Sequence, residues 1–265
     1  MAKKPDRKLK SRTAPARTRK IDPVLEARRD LAAAFRWAAR LGFNEGTCNH
    51  FSLKVPGQED RYLLNPHGLH FSEIRASDLL MVDASGKVVE GKYPMEETAF
   101  YLHSRIHRAN RNAKCVLHTH MPYATALTMI ESGRLEPALQ TALRFYGRVG
   151  YDDDLGGYNG LAVSIEEGDR VCKALGNYRV LFMANHGVMV AAPSVYQAFD
   201  DLYYLERAAQ AQVLAMSTGR KLKLVGDNLA AQARDQILAH NDLYARIHFT
   251  SLRRILDREA PDYAD

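Results

Sequence analysis

The 265-residue chain has few cysteines, a single tryptophan and no long apolar run, and each shortage removes a class of protein. Its three cysteines, Cys48, Cys115 and Cys172, are odd in number, widely spaced and form no CxxC. That excludes a disulfide scaffold and a cysteine-based metal or redox motif, and it fits reduced thiols in a cytoplasmic protein. No stretch approaches the roughly 18 consecutive apolar residues of a membrane helix, so no membrane partner is expected. No internal repeat is present. With 46% apolar and 26% charged residues the composition is that of a globular protein, and a chain of this size buries roughly 70–75% of the surface its unfolded form exposes.

The chain also lacks acid at one end. Residues 1–20 hold nine Lys or Arg against the single acid Asp6, a net of +8, whereas the other 245 residues carry 28 basic and 30 acidic groups, a net of −2. The formal charge of +6 therefore belongs to a leader. With two prolines and almost no apolar residues, the leader is expected to be solvated and disordered. It has no apolar segment of a secretory signal. Its arginines suit a transit peptide, against which its lysines and Pro5 speak. A near-neutral body offers no broad cationic surface and no recognised nucleic-acid motif, so no nucleic-acid partner is expected.

The rest, residues 21–265, reads as one domain. Asp22-Pro23 supplies a cap and a first-turn proline for an amphipathic helix through Leu25, Leu31, Phe35, Ala38 and Leu41, ended by Gly42. HFSLKV, RYLLN and LLMVD within residues 50–90 are short β-type runs, and Asp83-Ala84-Ser85-Gly86 is turn chemistry before Lys87-Val88-Val89. A helix is expected from about Pro94 to Ala109, a strand at 114–120, and a helix from Pro122 ended by Gly133. Residues 134–163 read as irregular, with one short strand LAVS. Ser164 and Glu167 form a capping box for a helix stopped by Gly176. Residues 179–192 read as two buried strands joined around Asn185-His186-Gly187. Ser194 caps a long helix ended by Gly219, and a final helix fills most of 227–258. Mixed elements without regular βαβ alternation predict an α/β domain with a largely antiparallel sheet rather than a dinucleotide-binding fold.

Ten histidines are present, and most need no special explanation. His118 and His120 differ, because strand side chains at i and i+2 leave the same face about 6.5–7 Å apart. Two such imidazoles can converge on one ion at about 2.0–2.1 Å each. The apolar run before them puts the pair at the end of a buried strand. His186 lies at another strand end in the most apolar stretch of the chain, where an unpaired imidazole is costly. Three neutral imidazoles are a recognised zinc set that leaves one position open. Pro94-Met95-Glu96-Glu97, at a helix start, offers a carboxylate able to ligate a metal or move protons.

These residues fall into a pattern. Asn44-x-Gly46-Thr47, Asn49-His50-Phe51-Ser52, Asn65-Pro66-x-Gly68, Pro94-x-Glu96-Glu97, the HTH at 118–120 and Asn185-His186-Gly187 occur in the order and spacing of the class II aldolase/adducin family, which the chain resembles over roughly residues 25–220. The resemblance implies a three-layer α/β/α domain with a central, mainly antiparallel sheet, followed here by a C-terminal helical extension. It also implies a ring-like homotetramer with sites between subunits. It implies Zn2+, with Mn2+ or Fe2+ as substitutes, bound by His118, His120 and His186, with Glu97 rather than Glu96 as ligand and acid/base group.

The activity implied is that of a divalent-metal lyase, stabilising an enediolate as a C–C bond of a small carbonyl substrate breaks. Tyr151 resembles a family tyrosine that protonates the leaving aldehyde, with Tyr146 and Tyr158 as competitors. The sugar-phosphate aldolases of the family hold phosphate with a Gly-Asn pair, a Thr-Gly pair and two serines. Asn49-His50, His67-Gly68 and Met95-Glu96 stand in those places, a poor phosphate cradle that points to an unphosphorylated substrate. His50 and His67 either face the pocket or are packed. The alternatives implied are a decarboxylase, dehydratase or epimerase at the same metal site, or a non-catalytic adducin-like interaction domain.

Overall fold

The computed structural model describes residues 22–161 and 164–265. The basic leader and the middle of the expected LAVS strand lie outside them. Strands β1 (His50–Lys54), β2 (Arg61–Leu64), β3 (Leu80–Asp83), β4 (Val88–Glu90), β5 (Cys115–Thr119), β6 (Val149–Tyr151), β7 (Val180–Met183) and β8 (Gly187–Ala192) form one sheet in the order β4-β3-β2-β1-β5-β8-β7-β6. Every neighbouring pair is antiparallel except β6 and β7.

Helices cover both faces. On one lie α1 (Pro23–Arg40), α3 (Pro122–Thr128), α6 (Val195–Met216) and α8 (Asn241–Glu259); on the other lie α2 (Glu97–Ala109) and α5 (Ile165–Leu175). Strand alternation divides the core accordingly. Cys115 and Leu117 of β5, with Val188 and Val190 of β8, pack under α1 and α6. Val116, Met189 and Ala191 pack under Leu102 and Ile106 of α2 and Val171 of α5. Strands buried on both faces read as the continuous apolar runs VLFM and VMVAA.

Local chemistry sets the element ends. The Asp22 carboxylate accepts from the Val24 N–H at 2.9 Å, and the Ser164 and Ser194 hydroxyls cap α5 and α6. Several boundaries differ from the expectations above. Residues 94–96 are extended, the Pro94 carbonyl accepting from His67 N–H at 2.9 Å, so α2 begins at Glu97. The helix from Pro122 stops at Thr128, well before Gly133. The stretch read as irregular contains α4 (Gln140–Leu143) and β6, a three-residue edge strand too short for a periodic signal. The final helix is two, α7 (Asp227–Leu238) and α8. Asn241, which opens α8, accepts from Arg144, whose guanidinium also meets Asp200 at 2.7 Å; this tertiary pairing fixes the break.

Candidate metal centre

β5 and β8 run side by side, and their adjoining ends carry the three histidines. His118 is inside β5, His120 follows its end, and His186 precedes β8 in the turn from β7. Their ring centroids are 5.0 Å (118–120), 4.8 Å (118–186) and 4.9 Å (120–186) apart, with one nitrogen of each within 4.8 Å of the others. The turn is built for this approach. Asn185 takes the left-handed conformation at φ 54°, which asparagine tolerates. A Cβ on Gly187 would lie 2.6 Å from the Thr119 carbonyl oxygen and 2.7 Å from His120 Cδ2, so only glycine lets the turn close on the β5 end.

Hydrogen placement decides what the cluster can do. The Val188 carbonyl, 3.1 Å from His118 Nδ1, can only accept, so His118 carries its proton there. His120 Nδ1 is 2.5 Å from the Glu45 carboxylate and carries its proton there too. With both imidazoles in the neutral form that ligates a metal, their Nε2 lone pairs point into the cluster, 3.2 Å apart, with no hydrogen between them. Two acceptors facing each other repel unless a cation lies between them. Two tetrahedral ligands at about 2.0–2.1 Å from one ion sit about 3.3 Å apart, which these residues fit. Burial, followed by the neighbouring imidazoles, pushes His118 well below the ordinary histidine pKa; burial and then His120 take His186 down to about 4. His118 and His186 are thus neutral at neutral pH, the form of imidazole that can ligate a metal.

Glu45 was not among the expected site residues, although it fills the variable place of Asn44-x-Gly46-Thr47. The asparagines of the neighbouring motifs hold its loop. Asn49 Oδ1 accepts from Glu45 N–H at 2.7 Å, Asn65 Nδ2 donates to the Asn49 carbonyl at 3.3 Å, and Asn44 Nδ2 donates to the Gly46 carbonyl at 2.9 Å. Motifs that read as pocket residues thus position a carboxylate that orients a histidine.

The structure does not bring Glu97 to the histidines. The sheet-facing stripe of α2 is Ala99, Leu102, His103, Ile106 and His107, and Glu97 lies about 200° around the helix from Ala99. Glu97 is exposed and lines a different cavity with Ala84, Ser85, Phe100, Tyr101 and Arg108. Tyr151 is also elsewhere: its hydroxyl accepts from Leu135 N–H at 3.1 Å, its ring meets Phe182, and burial raises its pKa to about 12. Tyr146 donates to Asp227. Tyr158 is the tyrosine beside the cluster, its exposed ring 6.3 Å from His186. Of the two undecided histidines, His67 is exposed, and His50 is buried with its ring 4.8 Å from His118.

The family model described as Class II Aldolase and Adducin N-terminal domain matches residues 29–213. The chain belongs to this family. A Caulobacter vibrioides protein whose name places it with the class 2 aldolases is 34% identical, over 91% of this chain and 92% of that protein. Rat alpha-adducin is 33% identical over 71% of this chain, which spans only 25% of alpha-adducin. Among solved structures, an aldolase II superfamily protein from Pseudomonas syringae superimposes with a TM-score of 0.86 at 34% identity, covering 95% of this chain and all of that one. L-fuculose 1-phosphate aldolase from Glaciozyma antarctica gives 0.78 at 23% identity, over 89% and 92% of the two chains, a likeness of fold. No helix among the described residues is long and apolar enough to cross a membrane.

Proposed function

We propose that the chain is a divalent-metal-dependent lyase of the class II aldolase type, acting on a small, unphosphorylated carbonyl compound. The observation that carries the reading is the facing pair of Nε2 lone pairs on His118 and His120, with His186 closing the third side. Zinc, manganese or iron(II) suits three imidazoles, and when bound supplies Lewis-acid polarisation of a carbonyl and stabilises the negative charge left as a C–C bond breaks. The Val188 carbonyl and the Glu45 carboxylate keep the two imidazoles aimed. Tyr158 is the nearest phenol and a donor of suitable reach once substrate is present. Glu97 has no part in this reading, because α2 turns it away.

Two features support an unphosphorylated substrate. Glu45 touches His120, so a carboxylate stands at the site and opposes a phosphate dianion. Asn49 is fully buried, its Oδ1 taken by Glu45 N–H and its Nδ2 sealed from solvent. Assembly as a homotetramer and a cytoplasmic location belong to the same reading. The test is a screen of zinc- and manganese-loaded protein against unphosphorylated hydroxy-ketones and hydroxy acids, with a sugar phosphate in parallel. Cleavage abolished by chelation and restored by metal is expected; turnover indifferent to chelation, or fastest on the sugar phosphate, would contradict it. The kinship with adducin favours, as a second reading, an interaction domain without catalysis, and wild-type protein that takes up no metal would select it.

A further inference from the structure

Next to the metal centre, on the same face of the sheet, lies a second histidine cluster. His50 and Ser52 of β1 stand opposite His118 and Val116 of β5, and His103 and His107 reach down from α2. All four side chains are buried. His50 Nδ1 is 2.8 Å from His103 Nε2, Ser52 Oγ is 2.6 Å from His103 Nδ1 and 2.7 Å from His107 Nε2, and His107 Nδ1 is 2.5 Å from the Ala113 carbonyl.

With neutral imidazoles, as burial favours, the direction of each bond is fixed from the far end. The Ala113 carbonyl only accepts, so His107 donates from Nδ1 and its Nε2 is an acceptor. The one Ser52 hydroxyl hydrogen must go to that acceptor, so Ser52 Oγ can only accept from His103 Nδ1–H. His103 Nε2 is then an acceptor and takes the Nδ1–H of His50. The last atom of the chain, His50 Nε2, is left as a lone pair. It makes no hydrogen bond among the described residues, and His50 is 3% exposed with its ring 4.8 Å from that of His118. Because the chain ends on a carbonyl, it cannot pass a proton on, and its effect is to orient.

We infer that His50 is a substrate-orienting residue, whose Nε2 is held as an obligate hydrogen-bond acceptor beside the metal centre by the positioning residues His103, Ser52 and His107. Such an edge accepts a substrate hydroxyl and opposes a carbonyl, carboxylate or ether oxygen in the same place, because two acceptors repel. The site therefore selects a compound with a free hydroxyl next to the group that the cation engages. This rests on the proposed metal function, and it assigns to His50 a choice that the three metal-binding histidines do not make.

The test uses full-length chain labelled with 15N-histidine. Long-range proton–nitrogen correlation should show His50, His103 and His107 protonated at Nδ1 with Nε2 bare, and Ser52→Ala should release His103 and His50 into mixed tautomers. On the cobalt(II)-loaded protein, glycolate and methoxyacetate, which differ in the hydroxyl hydrogen, are compared through the visible spectrum. The preference for glycolate should fall roughly five- to tenfold in Ser52→Ala and His50→Phe, the worth of one hydrogen bond, with methoxyacetate binding unchanged and Ser52→Thr restoring the preference. A His50 protonated at Nε2 in the wild type, or an unaltered preference in the folded variants, would overturn the inference. If the wild type binds neither zinc nor cobalt, the metal reading fails, and the tautomers of the metal-free chain still decide the histidine chain.

Discussion

Two histidine clusters share one face of the central strands, and they differ in how their hydrogens are spent. In the buried one, donors and acceptors alternate without a break from His50 Nδ1 to the Ala113 carbonyl, so every hydrogen in it has an acceptor within the protein and His50 Nε2 alone is left bare. In the rim cluster, His118 and His120 give their hydrogens outward, to Val188 and Glu45, and turn bare nitrogens on each other. Proximity of imidazoles is common to both. The count of hydrogens separates a cluster that is bonded within itself from one whose bare nitrogens could hold a cation.

The contrast can be broken most forcefully at the rim. His118→Ala with His120→Ala should abolish stoichiometric zinc uptake, measured by elemental analysis of dialysed protein, while the circular dichroism spectrum stays native. A metal-free protein should next show what the buried chain costs in acid. The folded pKa of His107 is about 4 against 6.5 for the free group, burial being the main cause. The unfolded chain thus binds more protons between these values, and stability present above about pH 6.5 is lost as pH falls towards 4. One such imidazole accounts for on the order of 3 kcal/mol, so denaturant unfolding should show a shallower pH slope for His107→Gln than for wild type.

Glu45→Ala, which removes the acceptor for His120 Nδ1–H, should weaken zinc binding about 10–100-fold in calorimetry, the usual worth of a group that orients a metal ligand. Glu97→Gln should be smallest of all, changing zinc affinity and turnover by less than about twofold, since a surface change away from the site is near neutral. A large loss of metal in Glu97→Gln would mean that α2 approaches the site on a different face.

Much of this arrangement was legible in the sequence, for identifiable reasons. The pattern HTH in an apolar run fixes two imidazoles on one side of a strand, and Asn185-His186-Gly187 between two apolar runs marks the turn that delivers the third. Strands β1, β2, β3, β5, β7 and β8 announced themselves by short apolar runs bounded by turn residues. What failed was angular or tertiary. A carboxylate at a helix start looks the same whichever way the helix faces, and two residues' difference between Glu97 and the sheet-facing Ala99 is over half a turn. β6 is held by its parallel neighbour β7 rather than by its own three residues. The role of Glu45 depends on a loop folded by Asn49 and Asn65, far from His120 in sequence. The chain from His50 to His107 spans a strand and a helix 51 to 55 residues apart, and no local pattern reveals it.

X-ray absorption at the zinc edge of wild-type chain loaded with one equivalent of zinc tests the central claim most directly. The account predicts a first shell that includes three imidazole nitrogens at about 2.0–2.1 Å and no sulfur. Failure to retain the equivalent, or a shell with fewer imidazoles or with sulfur at about 2.3 Å, would contradict it.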